Sequence, residues 1–111
     1  MNMPSYILDE KGKLKLKTEI FSSQILSQLE ALAGLNKILS DFTKLKIIYL
    51  LSLGELNVTQ IVSELKASQS LVSHHLATLR RSKIVTSRRM SKIIFYSLSP
   101  LGKSIIDKFI S

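Results

Sequence analysis

The chain has 111 residues, of which 45% are hydrophobic and 22% charged, and its formal net charge is +8. This length and composition predict one folded globular domain and exclude a disordered chain. The longest apolar run, Ile47–Leu51, is too short to span a bilayer, and the N-terminus lacks the order of a signal peptide. We therefore expect a soluble cytoplasmic protein without membrane contact.

The positive charge is concentrated in the second half of the chain. Met1–Lys66 has eight Lys and seven Asp or Glu, a balance of +1, whereas Ala67–Ser111 has eight Lys or Arg and one Asp, a balance of +7. Ala67–Ser99 contains six bases and no acid. Such a stretch attracts polyanions by counterion release, and the alternative is a solvated basic surface without a partner.

The N-terminal part is predicted to form a hairpin and a helix. Apolar and basic residues alternate over Tyr6–Lys17 around a Gly-containing turn, Asp9–Gly12, which predicts a hairpin in an N-terminal extension, residues 1–17. From Thr18 the apolar spacing becomes helical and predicts a helix over residues 18–33 that ends near Gly34. Leu35–Leu39 is predicted to form a further short turn of helix.

The middle of the chain is predicted to contain two helices before the basic stretch. Asp41–Leu53 is strongly apolar, is capped by Ser40 or Asp41, and stops at Gly54. We expect it to be the helix most nearly enclosed by the others. Asn57 is a predicted cap for a short second helix, Val58–Lys66.

The helix that follows Ser68 has two different faces. Val72, Leu76 and Leu79 fall within about 60° of one another at about 100° per residue, with His75 on their flank, so this stripe is predicted to be buried. The second face carries short hydrogen-bonding side chains and ends in bases: Gln69, Ser70, Ser73, His74, Ala77, Arg80 and Arg81. That face suits a helix lying in the major groove of double-stranded DNA. Because a two-residue link joins it to the preceding helix, residues 58–81 are predicted to form a helix-turn-helix.

A hairpin and a final helix are predicted to complete the domain. Ile84–Arg89 and Ile93–Leu98 have β character and flank a turn at Met90–Lys92. This predicts a wing over about residues 84–98, with Arg88, Arg89 and Lys92 near its tip, within reach of phosphates or a minor groove. Ser99 and Pro100 then predict the start of a helix over residues 100–110.

The predicted fold is mainly α with a small β-hairpin (α+β), a winged helix-turn-helix domain over residues 18–111. The predicted DNA contacts lie on the outer face of the helix that follows Ser68, which we call the recognition helix, at the start of the helix before it, and on the wing. They are Thr59, Gln60, Ser68, Gln69, Ser70, Ser73, His74, Ala77, Arg80, Arg81, Arg88, Arg89, Ser91 and Lys92.

The order of these elements, with the stretches LSLGELNVTQIVSEL, SQSLVSHHLATL and SRRMSKIIFYSLS, resembles the ArsR (ArsR/SmtB-type) winged-helix regulators. The resemblance covers about residues 39–99 and implies a homodimeric repressor that a metal ion releases from its operator. It also implies that Gln69, Ser70, Ser73 and His74 face bases, and that Arg88, Arg89 and Lys92 face the DNA backbone. The sequence is similar in its wing and last helix to MarR-type and archaeal Lrs14-type regulators as well.

The residues that metal sensing requires in this family are missing from the sequence. Glu55–Val58 has no cysteine where metal-responsive relatives have one, and the last helix offers Asp107 without a histidine. His74 and His75 are adjacent, and helical neighbours project about 100° apart, whereas chelation favours i, i+4 spacing. We therefore predict no metal site and no cofactor, with His74 facing DNA and His75 at the edge of the core.

The two end helices have more apolar surface than a small winged-helix core has room for. We therefore predict a twofold homodimer, with an interface built from Phe21, Ile25, Leu29, Leu32, Ile105, Ile106, Phe109 and Ile110.

Other functional classes fit the sequence less well. The chain has no cysteine nucleophile, recognisable carboxylate pair or Gly-rich phosphate loop, which argues against an enzyme. A non-specific chromatin-like DNA-binding protein and a protein-interaction winged helix remain the alternatives to a sequence-specific regulator. The sequence identifies no effector.

Overall fold

The computed structural model describes residues 6–8, 11–12, 14–16 and 20–110. The elements are, in chain order, β1 (Tyr6–Leu8), β2 (Leu14–Leu16), α1 (Ser23–Leu39), α2 (Phe42–Leu53), β3 (Leu56–Asn57), α3 (Val58–Leu65), α4 (Gln69–Arg81), β4 (Val85–Met90), β5 (Ile93–Leu98) and α5 (Pro100–Phe109). The chain divides into two compact units, Met1–Gly34 and Leu35–Ser111.

The first unit contains an antiparallel hairpin and most of α1. β1 pairs with β2 so that Tyr6 lies opposite Leu16, which confirms the predicted hairpin. Asp9, Glu10, Lys13 and Lys17, which the prediction included, lie outside the described residues.

The predicted limits of the first helix are wrong. The helix begins at Ser23, and the hydroxyl of the preceding residue, Ser22, accepts a hydrogen bond from the backbone N–H of Ile25 at 3.3 Å. Thr18, the predicted start, lies outside the described residues. It then runs through Gly34 to Leu39. Gly34 does not have the left-handed backbone that ends many helices. Leu35–Leu39 is therefore the end of α1 and not a separate turn.

The second unit begins with the end of α1 and then α2, which buries only one side. Asp41 is the N-cap, since its side chain accepts a hydrogen bond from the backbone N–H of Lys44 at 3.0 Å. Ile47, Ile48 and Leu51 are buried, whereas Phe42 and Leu53 are 73% and 70% exposed. The enclosure expected for this helix is limited to one face, because its apolar residues surround the helix and the described part of the chain covers one side of it.

The predicted helix-turn-helix is confirmed. Asn57 caps α3 in a reciprocal capping box with Gln60, each side chain accepting the other's backbone N–H at 2.9 Å. Lys66 ends α3 in the left-handed conformation, with φ at 54°. Ser68 then caps α4 by accepting the backbone N–H of Leu71 at 3.2 Å. Two residues thus separate Lys66 from α4.

The predicted wing is confirmed as the antiparallel hairpin β4–β5, with Met90 opposite Ile93 and Val85 opposite Leu98. The turn is Ser91–Lys92, and Ser91 has a φ of 58°. Strand β3 was not predicted; it pairs with β5, and the strand order of the sheet is β3-β5-β4. The wing is therefore joined through β5 to the residues that begin α3.

The last helix closes the core over the base of the wing. Ser99 is its N-cap, as predicted, and accepts the backbone N–H of Gly102 at 3.1 Å. Gly102 lies directly against Ile84, which precedes β4. Ile105 belongs to the core cluster and not to the exposed face on which the predicted dimer interface placed it. It lies one helical turn after Gly102, so it faces the same side of α5.

The core draws on every helix of this unit and on the wing. Its fully buried side chains include Ile48 from α2, Ile61 from α3, Leu76 from α4 and Val85 from β4. The wing and the helix-turn-helix therefore share one core. Among the described residues, no helix combines the length and apolar character that a membrane span requires.

Candidate nucleic-acid interface

One side of α4 is buried in the core, and this determines which side chains its other side exposes to solvent. Val72, Leu76 and Leu79 are fully buried, and His75 is buried beside them. All the residues predicted to contact DNA are exposed, on α3, on α4 and on the wing. The predicted division of α4 into a core face and an outer face is confirmed.

The outer face of the first two turns of α4 is free to form hydrogen bonds. Within the described residues, the side chains of Gln69, Ser73 and His74 have no hydrogen-bond partner, and the Ser70 hydroxyl is 3.4 Å from that of Ser68. Ala77 continues this face with a methyl group. The surface thus offers amide, hydroxyl and imidazole groups for the edges of bases and one apolar contact.

The end of α4 is basic. Arg80 and Arg81 lie in its last turn, where positive charge is also favoured by the helix dipole. The Arg81 guanidinium donates to the Thr78 hydroxyl at 3.2 Å, and that hydroxyl donates to the His74 carbonyl at 3.2 Å. Arg81 is therefore directed along the helix surface.

At the start of α3, Thr59 and Gln60 are exposed. The Gln60 side chain is already engaged in the capping box, so its amide oxygen is directed at the backbone of Asn57. Thr59 remains available for a contact on this side of the helix-turn-helix.

The bases of the wing are not equivalent. Arg89, Ser91 and Lys92 are exposed. Arg88 instead donates two hydrogen bonds to Glu55, from Nε at 2.8 Å and from a terminal nitrogen at 2.6 Å. This bond lowers the pKa of the Glu55 carboxyl and raises that of Arg88. The pair has no local signal in the sequence, because its members are 33 residues apart.

His75 has a different environment from His74. Its Nδ1 is buried and has no hydrogen-bond partner within the described residues. Burial lowers the pKa of His75, the charge of Lys44 lowers it further, and Asp41 opposes the shift. Among the described residues, no group of three His, Cys, Asp or Glu side chains could hold a metal ion.

The second unit also has a large apolar cavity of about 710 Å³ between α2 and α5. Phe42 and Tyr49 line it from α2, and Ile106, Phe109 and Ile110 line it from α5. Phe109 is 74% exposed. The α5 residues were predicted to lie on an apolar face, whereas Phe42 and Tyr49 were not predicted to be part of it.

The first unit has an exposed apolar stripe of its own. Ile25, Leu29 and Leu32 lie at helical spacing on α1, and all three are exposed, as is Phe21 just before the helix. None of the residues of α1 is buried. The stripe is therefore available for contact with another surface.

Comparison with known proteins identifies relatives of this arrangement. Residues 41–87 match the family model described as "Bacterial regulatory protein, arsR family". The chain is 48% identical to the arsenical resistance operon repressor of Escherichia coli K12 over 65 residues, and this aligned region covers 58% of this chain and 56% of that protein. It is 35% identical over 79 residues to the arsenical resistance operon repressor of Staphylococcus aureus, covering 71% of this chain and 73% of that one.

A solved structure with the same fold is that of reduced HlyU from Vibrio cholerae, with a TM-score of 0.69 and 32% identity over 78% of this chain and 93% of that one. The chain spans 56% to 61% of the length of the first curated relatives that it matches.

Proposed function

Because the chain belongs to the arsR family of bacterial regulatory proteins, we propose that it is a transcriptional regulator that binds specific sequences of double-stranded DNA in the cytoplasm. The observation that carries the proposal is the outer face of α4, whose hydrogen-bonding side chains are exposed while the opposite face is buried in the core. A binding function of this kind requires no catalytic group, and we propose that the protein is not an enzyme.

We assign base recognition to the first half of α4. Gln69, Ser70, Ser73 and His74 supply hydrogen bonds to base edges in the major groove, and Ala77 supplies contact with a thymine methyl group. The N-terminal residues of a recognition helix make such contacts in helix-turn-helix proteins.

Phosphate contacts come from the ends of this surface. Arg80 and Arg81 lie at the C-terminal end of α4, Arg89 and Lys92 lie on the wing, and all four are exposed. Thr59, Ser68 and Ser91 are assigned to the same class, as is the amide nitrogen of Gln60, since only the amide oxygen of that side chain is engaged in the capping box. Such contacts fix the orientation of the protein on the duplex and carry little sequence information.

The protein acts as a homodimer in this proposal. Two exposed apolar surfaces support it: the α1 stripe in the first unit, and Phe109 and Ile110, which line the cavity in the second. Ile106, also predicted at the interface, is partly buried against the core. A twofold dimer would place two α4 helices on half-sites one DNA turn, about 34 Å, apart.

We further propose that the protein is a repressor, because the Escherichia coli and Staphylococcus aureus relatives are both named arsenical resistance operon repressors. Those names refer to arsenical resistance. The 111 residues here contain no cysteine, so they cannot supply a thiolate ligand to an arsenical or a soft metal. An effector that bound to these residues would therefore use other ligands.

Selection of bound sequences from a random duplex pool tests this function. We expect an enriched, twofold-symmetric sequence, bound about a thousandfold or more tightly than random duplex at matched salt. Equal affinity for both duplexes with a steep salt dependence would indicate a chromatin-like protein. No binding to either would indicate a protein-interaction domain.

Two substitutions locate base recognition within the molecule. Ser70→Ala and His74→Ala should each relax the preference at particular base pairs, with a loss of about 1–3 kcal/mol in discrimination for a good contact. Lys92→Ala should weaken binding to all sequences alike. The assignment is reversed if the wing variant changes base preference and the helix variants do not.

A further inference from the structure

The Glu55–Arg88 pair connects two parts of the proposed DNA-binding surface that are distant in sequence. Glu55 immediately precedes β3, which leads into α3, and Arg88 lies on β4 of the wing. The two hydrogen bonds at 2.8 Å and 2.6 Å form a bidentate contact. A bidentate pair fixes the orientation of both groups as well as their separation.

The path of the Arg88 side chain is defined by the middle strand of the sheet. Arg88 lies opposite Phe95 in the β4–β5 pairing, and Phe95 lies opposite Asn57 in the β3–β5 pairing. Directly opposed residues share one face of a sheet. The Arg88 guanidinium lies over the Phe95 ring, 5.2 Å from its centroid, and so crosses β5 to reach Glu55.

We propose that Glu55, Phe95 and Arg88 form a latch that fixes the position of the wing relative to the helix-turn-helix. Arg88 is then a positioning residue and not a phosphate contact, because its charge is neutralised by Glu55 and two of its donors are occupied. Arg89 is the next residue, projects from the opposite face of β4, and keeps its charge for DNA. This inference rests on the proposed DNA-binding function.

A charge-balanced double variant separates the two roles of Arg88. Glu55→Gln/Arg88→Met removes both members of the pair and leaves the net charge of the protein unchanged. The matched control is Arg89→Met, which removes one exposed charge from the neighbouring position. The affinity of the full chain for the selected duplex is measured over a series of salt concentrations.

We expect the control to reduce the slope of log K against log salt by about 0.9, the value for one lost phosphate contact. The double variant should keep the wild-type slope and lose about twofold to fivefold in affinity at every salt concentration, as expected for a surface ion pair. A slope reduced as in the control would overturn the proposal, because Arg88 would then contact phosphate.

Amide hydrogen exchange in the free protein provides a second readout. The double variant should exchange the amides of β4 and β5 faster than the wild type, whereas Arg89→Met should not. Wild-type exchange together with wild-type affinity would show that the pair positions nothing, and would overturn the latch. If the wild type bound no duplex, the proposed function would fail, and the exchange measurement would still decide whether the latch exists.

Discussion

Replacing Gly102 with alanine tests how α5 is held on the core. A Cβ at this position would overlap the carbonyl oxygen of Ile84, and it would lie 3.0 Å from the Leu98 Cδ2 and 3.3 Å from the Ile84 Cγ2. A backbone oxygen cannot rotate away as a side chain can. The same oxygen accepts hydrogen bonds at 2.9 Å from both the backbone N–H and the hydroxyl of Ser99. Any shift that relieves the overlap therefore disturbs the N-cap of α5.

The expected change in the free energy of unfolding is the difference between two opposed effects. Overpacking of a core costs about 1–3 kcal/mol, and the helical preference of alanine over glycine returns about 1 kcal/mol. Because backbone must move here, we place the overpacking cost at or above the top of that range, so the expected net loss is about 2 kcal/mol. For a domain of this size this corresponds to a fall in Tm of roughly 8–16 °C.

Gly34→Ala is the matched control, because Gly34 lies inside α1 and a Cβ there meets no atom of the described residues within 4 Å. It should stabilise the protein by up to about 1 kcal/mol through helical preference. Thermal and urea unfolding followed by circular dichroism at one protein concentration measure both variants. If Gly102→Ala were as stable as the wild type, the close packing of α5 on Ile84 would be refuted.

Three further outcomes are expected. Asn57→Ala, which removes the cap of α3, should lower the free energy of unfolding by about 1 kcal/mol in urea; an unchanged urea midpoint would contradict the cap. The pKa of His75 is lowered in the folded chain, so the unfolded chain binds the proton at higher pH. The part of the stability that depends on a neutral His75 should therefore be fully present above about pH 6.5 and be lost as the pH decreases through the folded pKa. His75→Leu should reduce this pH dependence when the free energy of unfolding is measured between about pH 7.5 and about pH 5, on either side of the ordinary pKa of histidine. Phe109→Ser should convert the proposed dimer to a monomer in light scattering at micromolar concentration, because it places a polar group on the apolar face; a wild type that is already monomeric would contradict the proposed dimer.

Local signals in the sequence were sufficient to predict the helix-turn-helix and the wing. Ser68 and Asn57 are strong caps, and Val72, Leu76 and Leu79 recur at helical spacing on a short helix. Periodicity and capping act between residues a few positions apart, so the sequence alone reveals them. The core face of α4 followed directly from these signals.

The features that the sequence did not predict depend on tertiary contacts or on weak local signals. Gly34 was predicted to end the first helix, although glycine inside a helix costs only about 1 kcal/mol and neighbouring residues outweigh it. Ile105 and Phe109 both lie on the apolar side of α5, but only the packing of α5 on the core decides that Ile105 is buried. The two-residue strand β3 has no periodicity of its own, and the pairing of Arg88 with Glu55 depends on it.

The short strand β3 also affects the order in which the chain can fold. Its pairing of Asn57 with Phe95 closes a loop of 38 positions around α3, α4 and most of the wing. The contacts inside the helix-turn-helix and within the β4–β5 hairpin join residues much closer in sequence, and contacts of that kind form with a smaller loss of chain entropy. We therefore expect the β3–β5 pairing to form after the helix-turn-helix and the β4–β5 hairpin.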